Sequence, residues 1–399
     1  MSLFPVLIGF AASLLGALVL VPIVRQLAHR IGWVDSPDGD RKVHRAPIPS
    51  VGGLGIVGGV LVGLAAVIAW GDLGFASVTA FLPSSRWLFG ALLIAAIGFI
   101  DDRVDLNHWT RLVAQLGVTA LVFSDGARIT LLDGVLGEGT LALAASFLLT
   151  AIWMVGMMNA VNLIDGLDGL AAGTVAIAFI GLTGVHALSG AMPSILMMAV
   201  ILGAVIGFLR YNCCPASVFM GDSGSLFLGF SLAAYGLYGT AHANPVLDLV
   251  IPVVVMGLPV LDTGVSILRR LVTRRPLFAP DKDHIHHRLA TQMSPARAVR
   301  VLWGLSLFLT LGGLAMAALP VWAAVLVFFV GTGVVYDLLW RVGYLPSPAS
   351  VGQRLRRRRR LEQVRSERMR RVNTGNAPDL PPRAGRVGER YHPLSGPER

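Results

Sequence analysis

Residues 3–24 read LFPVLIGFAASLLGALVLVPIV, a run with no acidic or basic side chain until Arg25 closes it. A helix rises about 1.5 Å per residue, so this run is long enough to cross the roughly 30 Å hydrocarbon core of a bilayer. Val51 to Trp70 repeats the pattern without a single charge. Further apolar segments follow near residues 87–100, 110–123, 141–158, 169–188, 192–209, 225–241, 246–268, 299–318 and 320–340. The third and fourth of the series are short and would have to tilt or extend through polar flanks. Composition agrees: 54% of the chain is hydrophobic and 14% charged, against about 25% charged in a soluble domain. The first segment lacks a basic leader region and more spans follow it, so a cleaved signal peptide is not expected. The expected fold is an all-α polytopic membrane bundle of about eleven transmembrane helices.

Charge placement orients that bundle. The loop after the first segment carries Arg25, Arg30, Arg41, Lys42 and Arg45, and cytoplasmic loops collect Lys and Arg. With that loop inside, the N-terminus is expected outside and the C-terminus in the cytoplasm. The loops near 101–111, 159–168, 210–224 and 269–298 then also face the cytoplasm, while the outer loops hold only Arg86 and Arg128. Residues 1–345 are expected to form the membrane domain. Residues 346–399, Arg-rich and then Pro- and Gly-rich, are expected to form a largely disordered cytoplasmic tail. The net charge of +10 owes much to Arg354 and Arg356 to Arg360 in that tail. Beside a membrane span such a run reads as attraction to anionic lipid, and nucleic acid is not an expected partner. Cys213 and Cys214 are neighbours and offer no disulfide framework.

The same topology brings every dense polar cluster to one face. Asp101, Asp102 and Asp105 end the third segment, where like charges repel unless a cation or basic partner lies among them. Helical spacing would put Asp101 and Asp105 on one side and turn Asp102 away. Arg111 follows and is suited to gripping phosphate. In Asn159-Ala-Val-Asn162-Leu-Ile-Asp165-Gly-Leu-Asp168-Gly, polar groups recur every third position with Gly166 and Gly169 between them. Hard oxygen donors of this kind suit Mg²⁺, and glycines let backbone approach a ligand. Gly221-Asp222-Ser223-Gly224-Ser225 opens a later segment; backbone N–H groups there could take an anion, or the motif could simply cap a helix. His284, His286, His287 and Arg288 supply donors for phosphate. Zinc is disfavoured because no cysteine lies near them. Two further signals count for less. Gly53-Leu-Gly55-Ile-Val-Gly58 matches a dinucleotide pattern but follows no strand, so Gly59 and Gly63 read better as close-packing positions. Asp262 lies several residues inside the ninth segment, as a functional acid or as the partner of a basic group.

In order along the chain, Asp-Ser-Pro…Arg41-Lys42-x-His44…Pro-x-x-Gly-Gly, Asp-Asp-x-x-Asp, Asn-x-x-Asn-x-x-Asp-Gly-x-Asp-Gly, Gly-Asp-x-Gly-Ser and His-Ile-His-His resemble the polyprenyl-phosphate N-acetylhexosamine-1-phosphate transferase superfamily. Asp105 and His284-Ile285-His286-His287 resemble its WecA/TagO group, the undecaprenyl-phosphate GlcNAc-1-phosphate transferases, more than the MurNAc-pentapeptide transferases (MraY). The resemblance covers about residues 1–345. It implies a bacterial plasma-membrane enzyme that transfers a sugar-1-phosphate from a UDP-sugar to undecaprenyl or another polyprenyl phosphate, releasing UMP. It implies Mg²⁺ as cofactor, with Mn²⁺ as a substitute. Asp222 and Asn162 would hold the metal, while Asp165 and Asp168 would stand at the nucleotide and metal pocket. Lys42, His44, Asn159, His284, His286, His287 and Arg288 would bind the donor. Arg111 would meet the lipid phosphate, with Asp101 and Asp102 beside the reacting groups. A polyprenyl-phosphate transporter is the rival class, and a homodimer is left open.

Overall fold

The computed structural model describes residues 3–34, 47–70, 85–137, 139–238, 244–273 and 284–344. The described residues form helices and loops and no β-strand. In chain order the helices are α1 (Phe4–Arg30), α2 (Gly52–Trp70), α3 (Ser85–Val104), α4 (His108–Phe123), α5 (Asp133–Leu136), α6 (Thr140–Ile164) and α7 (Leu170–Ser189). They continue as α8 (Met192–Asn212), α9 (Gly221–Tyr235), α10 (Pro245–Val255), α11 (Gly257–Thr273), α12 (Ile285–Gln292), α13 (Pro295–Ala318) and α14 (Val321–Arg341). Seven of them, α1, α2, α6, α7, α8, α13 and α14, are long and apolar enough to cross a membrane, and α10 with α11 would make an eighth. The chain divides into a compact unit of Met1–Asp337 and a second unit of Leu338–Arg399. Lys42, His44 and the Arg-rich tail lie outside the described residues.

Small residues set how closely the helices approach. A Cβ added at Gly59 of α2 would stand 2.9 Å from Ala17 Cβ and 3.0 Å from Ser13 O on α1. One at Gly63 would stand 2.7 Å from Ser13 Cβ. The glycines therefore serve helix packing, as the sequence suggested, because lipid gives no hydrophobic force to press helices together and van der Waals fit must do it. Outward faces stay apolar: Leu7, Leu15, Trp322 and Phe329 are exposed, which in water would be a liability and in lipid is solvation.

The apolar run 246–268 is not one straight span. It breaks at Met256, and α10 meets α11 at a 90° bend. Pro259 explains the break. In an unbroken helix its missing N–H would leave the Val255 carbonyl without a donor. Here Pro259 falls in the first turn of α11, where no intrahelical bond is required. Thr310 Oγ1 of α13 donates to that carbonyl at 3.2 Å instead. The bend sends α11, with its polar residues, on a new course.

Candidate active site

Five helix ends and one turn meet where α3, α6 and α9 converge. The α3 helix stops at Val104. Asp105 takes a left-handed conformation (φ 51°) just beyond it, so the expected shared helical face of Asp101 and Asp105 does not exist. What joins them is Arg111. It stands in the first turn of α4, whose start is capped by Asn107 Oδ1 accepting from the N–H groups of Trp109 and Thr110. The guanidinium pairs with Asp101 Oδ2 at 2.5 Å, with Asp105 Oδ1 at 3.2 Å and, at 3.9 Å, with Asp222 Oδ2. Asp101 also accepts from the Leu106 N–H at 2.8 Å, which fixes the turn out of α3.

Asp102 does not turn away. Its two oxygens accept from the backbone N–H groups of Asp222 (2.9 Å) and Ser223 (3.3 Å), capping the N-terminus of α9 from a different helix. Such closeness demands glycine. A Cβ at Gly98 would sit 2.4 Å from Asp222 O, and one at Gly53 would sit 2.2 Å from the Gly224 nitrogen. Gly221 itself has φ 72° and faces Asp102 Oδ2. The Gly221–Ser225 motif is thus a helix start capped by a carboxylate that the local sequence does not supply.

From α6, Asn162 Nδ2 donates to Asp222 Oδ1 at 2.8 Å and to Ser225 Oγ at 3.1 Å. Asp165 ends α6. Asp168, three residues on, accepts from the Ala216 N–H at 2.9 Å and ties the turn to the loop before α9. Asn159 is exposed and donates to Gln115 Oε1 at 3.1 Å and Val155 O at 2.7 Å, one turn away from the acids.

The electrostatics follow from this crowding. Burial pushes Asp101 up to about 6, with Asp222 adding to the rise while the Leu106 N–H and Arg111 oppose it. Burial likewise lifts Asp102 to about 6, against the Asp222 and Ser223 N–H groups. Asp165 rises to about 7 through burial and then through the charges of Asp222, Asp102 and Asp168. Asp222 is raised by burial and next by Asp102. These groups lie beyond the apolar stretches, at the helix ends. Four buried or half-buried carboxylates, each held up by burial and then by at least one acidic neighbour, face Arg111 and, beside Asp102, Arg103 as their described cationic neighbours.

Among the described residues, no three His, Cys, Asp or Glu side chains are arranged to cage an ion on their own. The donors present nevertheless fit Mg²⁺, which keeps several waters and takes one or two carboxylates plus phosphate oxygens. An end-for-end turn of the Asn162 amide would present its oxygen beside Asp222 to such an ion.

The histidines are organised separately. Asp262 Oδ2 pairs with His284 Nδ1 at 3.0 Å, and Oδ1 accepts from the Ile285 N–H at 2.9 Å, which starts α12. Ser266, one turn further along α11, lies 3.4 Å from the same His284 nitrogen. His286 Nδ1 stands 3.8 Å from Asp262 Oδ2, and both side chains are buried. The other edge of His286 closes on the acid turn: a Cβ at Gly166 would lie 2.6 Å from its Nε2. His287 is exposed with its ring 4.2 Å from that of His286, and Arg288 is half-buried behind it. The structure therefore joins Asp101, Asp102, Arg111, Asn162, Asp165 and Asp222 in one pocket, with His286 at its edge through Gly166. Asn159 stands aside. Asp262 is the partner of a basic group, one of the two roles its sequence position allowed, while Ser225 and Gln115 were not singled out in the sequence.

A bundle of apolar helices with acids, an arginine and histidines gathered at helix ends defines a membrane enzyme built around phosphate chemistry. Residues 85–240, which include α3, α4, α6 and α9, match the family model for glycosyl transferase family 4. The chain is 36% identical over 330 residues to the probable undecaprenyl-phosphate N-acetylglucosaminyl 1-phosphate transferase of Bacillus subtilis, covering 82% of this chain and 88% of that one. It is 36% identical over 311 residues to the decaprenyl-phosphate N-acetylglucosaminephosphotransferase of Mycobacterium tuberculosis, covering 71% and 75%. A phospho-N-acetylmuramoyl-pentapeptide-transferase of Desulforudis audaxviator is 31% identical over 353 residues, covering 78% and 98%. The chain belongs to the polyprenyl-phosphate N-acetylhexosamine-1-phosphate transferase superfamily.

Proposed function

We propose that this enzyme transfers GlcNAc-1-phosphate from UDP-GlcNAc to a polyprenyl phosphate such as undecaprenyl phosphate, with release of UMP. The observation that carries the reading is the gathering of Asp101, Asp102, Asp165 and Asp222 with Arg111 at helix ends, in a chain whose relatives are named for this transfer. An oxygen of the lipid phosphate attacks the sugar-bearing β-phosphorus, and the bond to the α-phosphate oxygen breaks. A phosphate monoester has a second pKa near 6, so the acceptor needs little help to lose its proton at neutral pH. Asp101 then orients the acceptor through Arg111 more than it acts as a base. Arg111 can exchange a carboxylate partner for an acceptor oxygen. His286, with His287 and Arg288 beyond it, neutralises the diphosphate as charge builds on the leaving group. Mg²⁺, which Asp222 and Asn162 would hold, supplies further charge neutralisation when bound. Lys42 and His44 are assigned to the donor.

The membrane setting explains the one-sided placement. One substrate is soluble and the other is anchored by its prenyl chain, so their phosphates meet at the interface. We assign eleven crossings by adding α3, α4 and α9 to the seven long helices and the bent pair. The N-terminus then lies outside, and the site and the tail face the cytoplasm of a bacterial plasma membrane. The test is UMP release by purified enzyme given Mg²⁺, undecaprenyl phosphate and a panel of UDP-sugars. UDP-GlcNAc should be the preferred donor; preference for UDP-MurNAc-pentapeptide would replace the reading with the reaction for which the Desulforudis audaxviator relative is named. UMP release without any acceptor would contradict both.

A further inference from the structure

Away from the acid pocket, the last turns of α1 and the loops before α2 and α9 enclose an open cavity of about 540 Å³. Its α1 wall is made by Arg25, His29 and Arg30; Pro47 and Ser217 belong to the other side. Arg25 is half-buried, and His29 and Arg30 are exposed. Among the described residues, the lining contains no acid. None of the three basic side chains has a described hydrogen bond or ion pair, in contrast to Arg111, which has three acidic partners. The opposite wall is rigid. Phe219 N–H donates to Pro49 O and Gly52 N–H to Phe219 O, both at 2.9 Å, which pairs the two loops. Ser217 is anchored to Tyr211 O through its N–H and hydroxyl.

We propose that this cavity is a second phosphate-binding site, distinct from the catalytic pocket, which takes a phosphate monoester or diester between Arg25 and Arg30. Cytoplasmic arginines at a span end serve orientation and need no cavity. Orientation does not account for two guanidiniums and an imidazole lining one cavity, without partners among the described residues, opposite a backbone-paired wall. Guanidinium forks match phosphate oxygens bidentately, and a site at the inner end of a span is within reach of both lipid headgroups and soluble phosphates. Asp168, through its bond to the Ala216 N–H, connects the loop of this cavity to the Asp165–Asp168 turn. Occupancy would therefore stiffen the floor of the active site from behind.

The test uses the full-length enzyme and its Arg25→Gln/Arg30→Gln variant. One arm counts phosphatidylglycerol retained against phosphatidylcholine by native mass spectrometry from mixed micelles. The other follows inorganic phosphate binding by calorimetry. The proposal expects tight retention of one phosphatidylglycerol or saturable phosphate binding by the parent, weakened about tenfold or more in the variant. Loss confined to the lipid arm identifies a phospholipid headgroup as the source; loss confined to the phosphate arm identifies a soluble one. Turnover in phosphatidylcholine alone should be unchanged, since neither arginine belongs to the catalytic pocket. Should the double variant not fold, Arg30→Gln alone, at an exposed position, is read in the same way. Equal binding by parent and variant in both arms would overturn the proposal and leave these arginines a role in topology only.

Discussion

The acid pocket and the histidine cluster sit side by side, yet they balance their charge in opposite ways. At the first, burial raises Asp101, Asp102, Asp165 and Asp222, each with at least one acidic neighbour adding to the rise, and Arg111 and Arg103 are the described cations that oppose it. At the second, the acid Asp262 is met by His284, by the Ile285 N–H and, further off, by His286. An assembly that is electrostatically incomplete without a ligand is built to bind one. An assembly that satisfies itself is built to hold a shape. The first region should therefore respond to charge substitution with loss of chemistry, the second with loss of alignment.

The largest effect should come from Asp222→Asn. The substitution keeps size and can keep the contact with Asn162, but it removes the charge nearest the expected cation. Turnover should fall roughly 10³-fold with the protein still folded. Retention of more than a tenth of the activity would mean that the pocket is not organised around this carboxylate. Gly98→Ala attacks the same region through packing. Its new Cβ would lie 2.4 Å from Asp222 O, and overpacking of that kind costs about 1–3 kcal/mol. A lowered melting temperature together with reduced turnover is expected, whereas a silent substitution would show that α3 and α9 can separate without consequence.

Asp262→Asn should be milder, roughly 10–100-fold, the usual range when a histidine loses the carboxylate that orients it. The loss should be larger in kcat/KM for the donor than in the KM for the lipid acceptor. Equal losses for both substrates would assign Asp262 a purely structural part. The smallest effect is on stability against pH. Asp101 and Asp102 near 6 and Asp165 near 7 are raised above the usual unfolded value. Between about pH 4 and 7 the folded chain therefore holds more protons than the unfolded one, and stability contributed by these groups falls as pH rises. With chelator present, the melting temperature should be lower at pH 7.5 than at pH 5, and Mg²⁺ should narrow the gap. An Asp165→Asn variant should show a shallower slope; an unchanged slope would remove Asp165 from the account.

Most of the fold could be read from the chain because lipid makes the rules strict: a span must be long, apolar and helical, and Leu3 to Val24 satisfies all three. The break at Met256 escaped that reading. Hydropathy is blind to direction, and the apolar run 246–268 continues through Pro259 as if nothing happened. The site was legible wherever its chemistry was local, as in Asn162 to Asp168. It was not legible where one segment completes another. Helical spacing turns Asp102 away from Asp101 and names no partner for it, whereas its partner is the backbone of Asp222, far along the chain. Gln115 carried a readable signal, a lone amide in an otherwise apolar segment. Ser225 lay within a quoted motif with nothing to mark its hydroxyl as the second acceptor for Asn162. Lys42 and His44 fall outside the described residues, so their assignment to the donor is still carried by the sequence alone.

The claim on which all this turns is that one divalent cation completes the acid pocket. Manganese titration followed by electron paramagnetic resonance tests it with no substrate present. The account predicts one bound Mn²⁺ per chain, displaced by Mg²⁺, lost in Asp222→Asn and retained in Asp262→Asn. No bound Mn²⁺ in the folded parent, or binding that ignores Asp222 and follows Asp262 instead, would contradict it.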